Sequence, residues 1–301
     1  MIYIFAILTI YILSFTYIRS RNKTLFSFRR QMTDVATFMV PFNLPAYLLS
    51  KVPLKSHYDA EDFPELKVIE DNWQDIQKEA LALYSAGHIT IKDDLPASSF
   101  YKDNRWTSFY LKLYDSDIPS ARELAPKTMA LIDKVPSMNL ALFACLNPGK
   151  NINKHHDPFA YTLRYSLGLS TPNSDDSGII VDGVDYKWKD GESVIFDETY
   201  LHHAYNRTDK PRIILMTDID RPLKIKFIQR LYFYFGRFFN NLFAIDNIDS
   251  KKSGIGNKFG YYFLAYKKFI KSIKHWNKPI YMTGKYALTF GLLYYLGSKL
   301  I

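Results

Sequence analysis

The first eighteen residues of the chain, 1–18, contain no charged side chain. As a helix they would be about 27 Å long, close to the roughly 30 Å hydrocarbon core of a bilayer. Five basic residues follow at once: Arg19, Arg21, Lys23, Arg29 and Arg30. This order predicts an N-terminal membrane anchor over residues 1–30, with the rest of the chain on the cytoplasmic side by the positive-inside rule. A buried core helix is the alternative.

A proline-containing connector is predicted for residues 31–60, and two helices follow it. Residues 72–85 place apolar side chains at helical spacing, namely Trp73, Ile76, Ala80 and Leu83. Residues 126–135 predict a shorter helix, because proline is tolerated in a first turn and Pro136 ends the pattern.

From residue 139 the pattern changes to that of strands. Residues 161–169 alternate, so that one face carries Tyr161, Leu163, Tyr165, Leu167 and Leu169 and the other carries Arg164 and Ser166. Further strands are predicted at 139–146, 193–196 and 212–219, with a hairpin at 179–188 that turns at Asp182-Gly183. Short strands joined by such turns favour a β-sandwich or barrel.

The last eighty residues return to helical spacing. Residues 224–244 combine aromatic and basic side chains, as in a helix that lies in the membrane interface, although a helix docked on the core would show the same stripe. Residues 286–298 are uncharged but short, so they either span the membrane or lie on it. We therefore predict a basic, aromatic, membrane-associated helical region over residues 223–301.

Charge is divided unevenly along the chain, whose formal net charge is +9. Residues 31–221 carry 20 basic and 28 acidic side chains, so all of the excess positive charge lies at the two ends. Basic ends interleaved with apolar runs favour contact with anionic lipid over a nucleic acid. The single cysteine, Cys145, excludes an internal disulfide and is interpreted as a small core residue.

The motif His155-His156-Asp157 is a candidate for metal binding. On an extended segment, His155 and Asp157 point the same way and His156 points away. Imidazole and carboxylate together suit a divalent metal with open coordination positions. A third ligand must come from elsewhere, and His202 and His203 are both candidates.

Two arginines on predicted strands accompany the motif. Arginine is costly to bury unpaired, and its fork matches a carboxylate, so Arg212 and Arg164 are candidates to bind a carboxylate co-substrate. Internal ion pairs are the alternative for either arginine, with four possible partners: Asp197, Glu198, Asp218 and Asp220.

Two stretches carry a family resemblance. Residues 147–169 read N-P-G-K-N-I-N-K-H-H-D-P-F-A-Y-T-L-R-Y-S-L-G-L, and residues 196–222 read F-D-E-T-Y-L-H-H-A-Y-N-R-T-D-K-P-R-I-I-L-M-T-D-I-D-R-P. They resemble the two signatures of the aspartyl/asparaginyl β-hydroxylase family. Weaker agreement extends the resemblance over roughly residues 60–222, and the branch it resembles most is the membrane-attached one that hydroxylates an acyl chain of bacterial lipid A.

The resemblance implies a site and a fold. It makes His155, Asp157 and His202 the ligands of Fe(II), and it makes Arg212 the partner of 2-oxoglutarate, with Arg164 a second contact. Ser166 stands where a histidine near the co-substrate is common in the family. The implied fold is a mainly β double-stranded β-helix (jelly-roll) over residues 61–222, with flanking helices and membrane-associated helices at both termini.

The function implied is that of a dioxygenase that uses Fe(II), 2-oxoglutarate and O2 to 2-hydroxylate an acyl chain of lipid A at the cytoplasmic face of the bacterial inner membrane. No nucleic acid or protein partner is implied. The alternatives are a hydroxylase of a protein Asp or Asn side chain, a hydroxylase of another membrane lipid, and a non-catalytic, membrane-anchored metal-binding module.

Overall fold

Ten strands form two antiparallel sheets in the computed structural model, which describes residues 2–89, 106–116, 118–242, residue 247 and several residues between 262 and 287. The larger sheet has the order β1-β8-β5-β10-β3-β2 and the smaller sheet the order β4-β9-β6-β7. The strands are β1 (His57–Tyr58), β2 (Trp106–Leu113), β3 (Met138–Leu146), β4 (Lys150–His155), β5 (Thr162–Ser170), β6 (Ser177–Val181), β7 (Val184–Lys187), β8 (Ser193–Phe196), β9 (His202–Asn206) and β10 (Arg212–Asp220). From β3 onward the chain passes back and forth between the sheets, which is the jelly-roll arrangement.

Helices flank this core on both sides in sequence. They are α1 (Ile2–Arg21), α2 (Phe28–Gln31), α3 (Val35–Leu48), α4 (Lys67–Glu70), α5 (Trp73–Ser85), α6 (Pro119–Leu124), α7 (Pro126–Ile132) and α8 (Lys226–Leu242), with short 3₁₀ turns at Ala60–Asp62 and Pro64–Leu66. Within the described part of the chain, α1 is the helix long and apolar enough to cross a membrane, and only 11% of its apolar window is buried. This exposure favours a membrane helix over the alternative of a core helix.

Alternation along the strands divides the larger sheet into two apolar faces. On strand β5, Leu163, Tyr165, Leu167 and Leu169 face the helices, where Ile76, Ala80 and Leu83 of α5 are buried against the same cluster. The opposite face meets the smaller sheet through a second cluster, which includes Leu142, Ile214, Met216, Ile179 and Ala204. The space between the sheets is therefore lined by alternate residues of both.

The predicted fold class, a mainly β jelly-roll with flanking helices, is confirmed. The predicted helix at 72–85 and the strands at 139–146, 161–169, 193–196 and 212–219 are confirmed to within about two residues. The hairpin is also confirmed, since Asp182 and Gly183 both adopt positive φ angles, of 50° and 86°, as a tight two-residue hairpin turn requires. The helix predicted at 126–135 ends earlier, at Ile132.

Several elements of the structure were not predicted. Strands β4 and β9 consist largely of polar residues such as Lys150, Asn151, His202 and His203, so hydrophobic alternation does not reveal them. Helix α3 lies within the segment predicted as a connector, and it accommodates Pro41 and Pro45. The uncharged segment 286–298 lies almost wholly outside the described residues.

Candidate active site

Two histidines meet where β4 and β9 pair. His155 ends β4, His202 begins β9, and the two are direct partners in the antiparallel register. Their ring centroids lie 4.2 Å apart. Asp157 follows two residues after His155, and its backbone N–H donates to the Glu198 carbonyl at 2.9 Å, which fixes the chain as it leaves the strand. Distant parts of the sequence are thus brought to one point by strand pairing.

Potential ligand atoms of His155, Asp157 and His202 lie within 4.8 Å of one another, and we call these residues the His-Asp-His cluster. The His155 Nε2 atom lies 3.7 Å from Asp157 Oδ1, and the His202 Nε2 atom lies 4.0 Å from Asp157 Oδ2. Two imidazoles and one carboxylate on one side leave the other side of a bound ion open, which suits non-haem Fe(II). The residues present therefore fit the metal that the family resemblance implies.

Each imidazole of the cluster is oriented by its other nitrogen. The His155 Nδ1 atom lies 2.8 Å from the Asn153 carbonyl, and the His202 Nδ1 atom lies 2.9 Å from the Tyr200 carbonyl. A carbonyl can only accept, so each Nδ1 carries the proton and each Nε2 keeps its lone pair for a metal. Burial and the neighbouring His155 lower the pKa of His202 to about 3, which keeps it neutral.

The carboxylate of the cluster belongs to a buried ionic network around Arg164. The Arg164 guanidinium donates to Asp218 at 2.5 Å, to Asp157 at 3.3 Å and to Glu198. Burial would raise the pKa of Asp157, but the two imidazoles and Arg164 outweigh that effect and hold it below its usual range. For Glu198, burial and the nearby carboxylates raise the pKa well above normal. Arg164 therefore makes internal ion pairs, which were the alternative to binding a carboxylate co-substrate.

Arg212 lies in the same cavity but has a different environment. Arg212 is only 2% exposed, and its Nε has no hydrogen-bond partner among the described residues. No ion pair to Arg212 is found within the part of the chain that the structure describes. Burial lowers the pKa of Arg212 to about 10, with only Cys145 acting in the opposite direction. A buried guanidinium without an anion is costly, so the geometry fits an anion that binds beside it.

The cavity between the sheets has a volume of about 240 Å³ and contains the cluster, Arg164, Ser166 and Arg212. Most of its remaining wall is apolar, with contributions from Trp106, Leu140, Leu142, Ile152, Ile179, Phe196, Ile214 and Met216. Trp188 completes the wall beside Arg212, whose Cζ atom lies 5.1 Å from the indole ring. Charged groups thus occupy a mostly hydrocarbon-lined space, as in a site for an apolar substrate.

The other candidates from the sequence lie outside the cluster. His156 points away and its Nδ1 atom lies 2.9 Å from Asp34 Oδ1, as the alternation along an extended segment predicts. His203 is the neighbour of His202 on β9 and so faces the other side of the smaller sheet. Cys145 is buried in the apolar cluster between the larger sheet and the helices, in agreement with its interpretation as a core residue.

The ion pair between Arg21 and Asp197 is not predicted by the sequence, in which Arg21 belongs to a run of basic residues expected to face lipid headgroups. Its side chain is only 7% exposed and donates to Asp197 at 3.1 Å, while Arg221 donates to the same carboxylate oxygen at 2.7 Å. The next residue, Asn22, accepts from the backbone N–H of Leu201 at 3.3 Å. The end of α1 is therefore fixed to the turn that leads directly into His202. No local pattern distinguishes Arg21 from the exposed basic residues near it.

Comparisons with known proteins identify the family of this chain. A family model described as aspartyl/asparaginyl beta-hydroxylase matches residues 70–222. An ornithine lipid ester-linked acyl 2-hydroxylase of Rhizobium tropici is 33% identical over 199 residues, which cover 65% of this chain and 70% of that protein. The human aspartate beta-hydroxylase domain-containing protein 2 is 28% identical over 168 residues, which cover 52% of this chain and 45% of that protein.

Among solved structures, a prolyl-4-hydroxylase of Pseudomonas putida aligns with 51% of this chain and 88% of its own, at 15% identity and a TM-score of 0.33, which is too low to add to the assignment. The family match covers half of the chain, and the Rhizobium relative covers more. The chain therefore belongs to the aspartyl/asparaginyl beta-hydroxylase family, as a hydroxylase of the dioxygenase type.

Proposed function

We propose that this protein is an Fe(II)- and 2-oxoglutarate-dependent dioxygenase that hydroxylates carbon 2 of an acyl chain on a membrane lipid. The observation that carries the proposal is the placement of the buried Arg212, which has no ion-pair partner among the described residues, in the same cavity as the His-Asp-His cluster. A metal site alone would also suit a binding module. A metal site with a buried guanidinium that lacks an anion is what a carboxylate co-substrate requires.

His155, Asp157 and His202 would hold the iron through two Nε2 atoms and one carboxylate. Iron held there with 2-oxoglutarate and O2 would supply the oxidising chemistry that inserts one oxygen atom into a C–H bond and the other into succinate, with the release of CO2 from 2-oxoglutarate. The chain's own contribution is to orient both imidazoles through their Nδ1 protons and to keep Asp157 ionised through Arg164. Arg212 would pair with the far carboxylate of 2-oxoglutarate, with Ser166 lining the same wall.

The substrate proposal is based on the apolar lining of the cavity and on the membrane helix α1. The cavity is lined mainly by hydrocarbon side chains, which suit an acyl chain better than the charged side chain of an aspartate. Helix α1 and the basic residues after it would keep the enzyme at a membrane whose anionic lipids attract them. We propose lipid A as the substrate, at the cytoplasmic face of the bacterial inner membrane.

A second lipid has a specific observation in its favour. The relative from Rhizobium tropici is named for the ester-linked acyl chain of ornithine lipid, and the match to it extends beyond the family region. Ornithine lipid is therefore the second candidate substrate. Both candidates share the same reacting group, an acyl chain next to its carbonyl.

Mass spectrometry of the lipids from cells with and without the gene tests the substrate. We expect the lipid A of gene-containing cells to gain one oxygen atom on an acyl chain, and H155A to abolish the gain. A gain on ornithine lipid alone would replace lipid A by the second candidate. If neither lipid changes while the purified protein still forms succinate, the substrate proposal is wrong and the enzyme class stands.

The metal and the co-substrate are tested on the purified full-length protein. With Fe(II), 2-oxoglutarate and O2 we expect succinate to form. Loss of a residue that only orients a metal ligand weakens metal binding roughly 10- to 100-fold. We expect H155A and H202A to weaken Fe(II) binding by more than this, because each removes a ligand itself. H203A is the matched control, because His203 lies outside the cluster. Undiminished iron binding by H155A would sink the metal proposal.

A further inference from the structure

Helix α3 exposes an apolar face. None of its fourteen residues, Val35–Leu48, is charged. Its outward positions Val35, Phe38, Leu44 and Leu48 are 45%, 58%, 47% and 68% exposed. A helix on the surface of a water-soluble domain normally carries charged or polar residues on its outer face, and a contiguous apolar face marks a contact surface.

The position of α3 along the anchor helix is defined by side-chain contacts. The rings of Tyr11 and Phe38 lie 5.6 Å apart, and the Tyr11 hydroxyl donates to the Met32 carbonyl at 2.7 Å. Tyr11 precedes the end of α1 by ten residues, which is about 15 Å along the helix axis. Toward the other end of α3, Tyr47 lies 5.5 Å from Tyr17. The start of α3 is therefore level with the middle of α1, and α3 runs from there toward the end of α1.

The exposed face continues on the other side of α3 into α8. Phe42 and Phe235 lie 4.6 Å apart, and the Tyr232 hydroxyl donates to the Phe42 carbonyl at 2.7 Å. Helix α8 presents its own exposed stripe at helical spacing, which consists of Phe227, Leu231, Tyr234 and Phe238. Lys224, Lys226 and Arg230 lie beside this stripe and are largely exposed.

We propose that the exposed faces of α3 and α8, which we call the lipid-facing platform, are immersed in the same membrane leaflet that α1 enters. Two observations identify a bilayer as the occupant. The platform is continuous with α1, whose outward residues from Ile2 to Leu13 are apolar and exposed. The basic residues at its α8 edge would complement anionic headgroups. Attachment would then extend well beyond residues 1–30, and α3 would be a structural part of the membrane-binding surface.

The platform would place the reaction next to the lipid. On the inner side of α3, the Asn43 amide donates to the Pro158 carbonyl at 2.8 Å and its oxygen accepts from the Ala160 N–H at 3.0 Å. At the start of the helix, Asp34 contacts His156. The segment that carries His155 and Asp157 is therefore held directly beneath the helix proposed to contact the acyl chains. The inference uses the proposed membrane attachment but not the metal chemistry.

Site-directed fluorescence on the full-length protein tests this placement. Single cysteines would be introduced by F38C and L44C, with L81C as the matched control because Leu81 is an exposed leucine on α5, which packs on the helix-facing side of the larger sheet. The native Cys145 is buried, so it does not compete for label in the folded protein. Each labelled variant is reconstituted into vesicles of phosphatidylethanolamine and phosphatidylglycerol.

We expect labels at F38C and L44C to be quenched by brominated acyl chains and to be quenched by aqueous iodide severalfold less than the label at L81C. Iodide quenching equal to that of L81C would overturn the proposal. Protection from both quenchers would overturn it as well, because the face would then be covered by protein, either by residues 286–298 or by a second copy. Succinate formation by each variant in detergent, measured in parallel, keeps this result separate from the test of the chemistry.

Discussion

Two largely buried arginines line the cavity, and they have opposite electrostatic environments. Arg164 is surrounded by three carboxylates, those of Asp157, Glu198 and Asp218. Arg212 has no carboxylate among the residues described, and its Nε lacks any hydrogen-bond partner. Acidic groups therefore surround Arg164, whereas the positive charge of Arg212 is uncompensated within the described structure.

This difference assigns distinct tasks to chemically identical side chains. Removing one member of a buried ion pair is strongly destabilising, because it leaves the partner buried and uncompensated. Arg164 therefore stabilises the fold around the Asp157 carboxylate of the His-Asp-His cluster. Among the described residues Arg212 makes no such pair, so its burial fits the proposed carboxylate ligand, which would supply the opposite charge. Substitutions at the two positions should have effects of different kinds.

The largest effect is expected for R164M. It would leave Asp157, Glu198 and Asp218 buried without their common cation, and we expect it to lower the free energy of unfolding by about 3–5 kcal/mol. Urea denaturation measures the change. R207M is the control, since Arg207 is exposed and follows directly after the strand that carries His202, and we expect its free energy of unfolding to lie within about 0.5 kcal/mol of the wild type. Equal stability of the two variants would contradict the structural task assigned to Arg164.

A smaller effect of a different kind is expected for R212M. Charge-assisted hydrogen bonds contribute about 1.5–3 kcal/mol, so the KM for 2-oxoglutarate should rise roughly 10- to 100-fold. The free energy of unfolding without ligand should not fall, because no ion pair within the described structure is lost. R212K should recover only part of the affinity, since an ammonium group cannot bind a carboxylate through a planar fork. A loss of stability like that of R164M, with an unchanged KM, would refute the comparison.

The smallest effect is expected for a substitution of Asp220, which lies two residues beyond Asp218. Among the described residues, no arginine pairs with its carboxylate. Its carboxylate accepts from Asn139 at 2.6 Å, and burial raises the pKa of Asp220 to about 6. The folded state therefore binds the proton more tightly than the unfolded state, whose carboxyl has a pKa of about 3.9. The resulting destabilisation is absent below pH 4, grows as the pH rises to 6 and is complete above it.

For D220N we therefore expect a gain of about 1–2 kcal/mol over the wild type at pH 7 that disappears by pH 4. Thermal or urea unfolding at several pH values measures this difference. D209N serves as the control, because Asp209 is an exposed residue in the turn between β9 and β10. A constant difference between D220N and wild type over the whole pH range would show that Asp220 ionises normally.

The fold was largely predictable from the sequence where burial sets the pattern. Strand β5 alternates because one face packs on helices and the other lines the cavity, so Leu163 and Arg164 could be assigned to opposite faces in advance. The strands β4 and β9 could not be predicted in this way. Strand β4 is largely exposed and β9 begins with two histidines, so neither strand shows the apolar alternation on which the prediction depends.

The sequence indicated that His155 and Asp157 converge, but it did not show which side chains the arginines contact. The spacing of His155 and Asp157 indicated convergence, while the choice of His202 over His203 came from family resemblance. Which arginine would be paired depended on the register of β5 and β10, where Arg164 lies opposite Asp218. That register is a tertiary property, so the local sequence around Arg164 and Arg212 does not contain it.

The pairing of Arg21 with Asp197 has a practical and a mechanical consequence. A recombinant fragment that begins after residue 30, the usual way to obtain a soluble form, would delete one of the two guanidinium groups on Asp197 as well as the anchor. In the intact chain, the same contacts mean that the barrel is not connected to α1 by a flexible linker alone. The barrel is therefore held in one orientation relative to α1, so the His-Asp-His cluster would keep a constant angle to the membrane that α1 is proposed to enter.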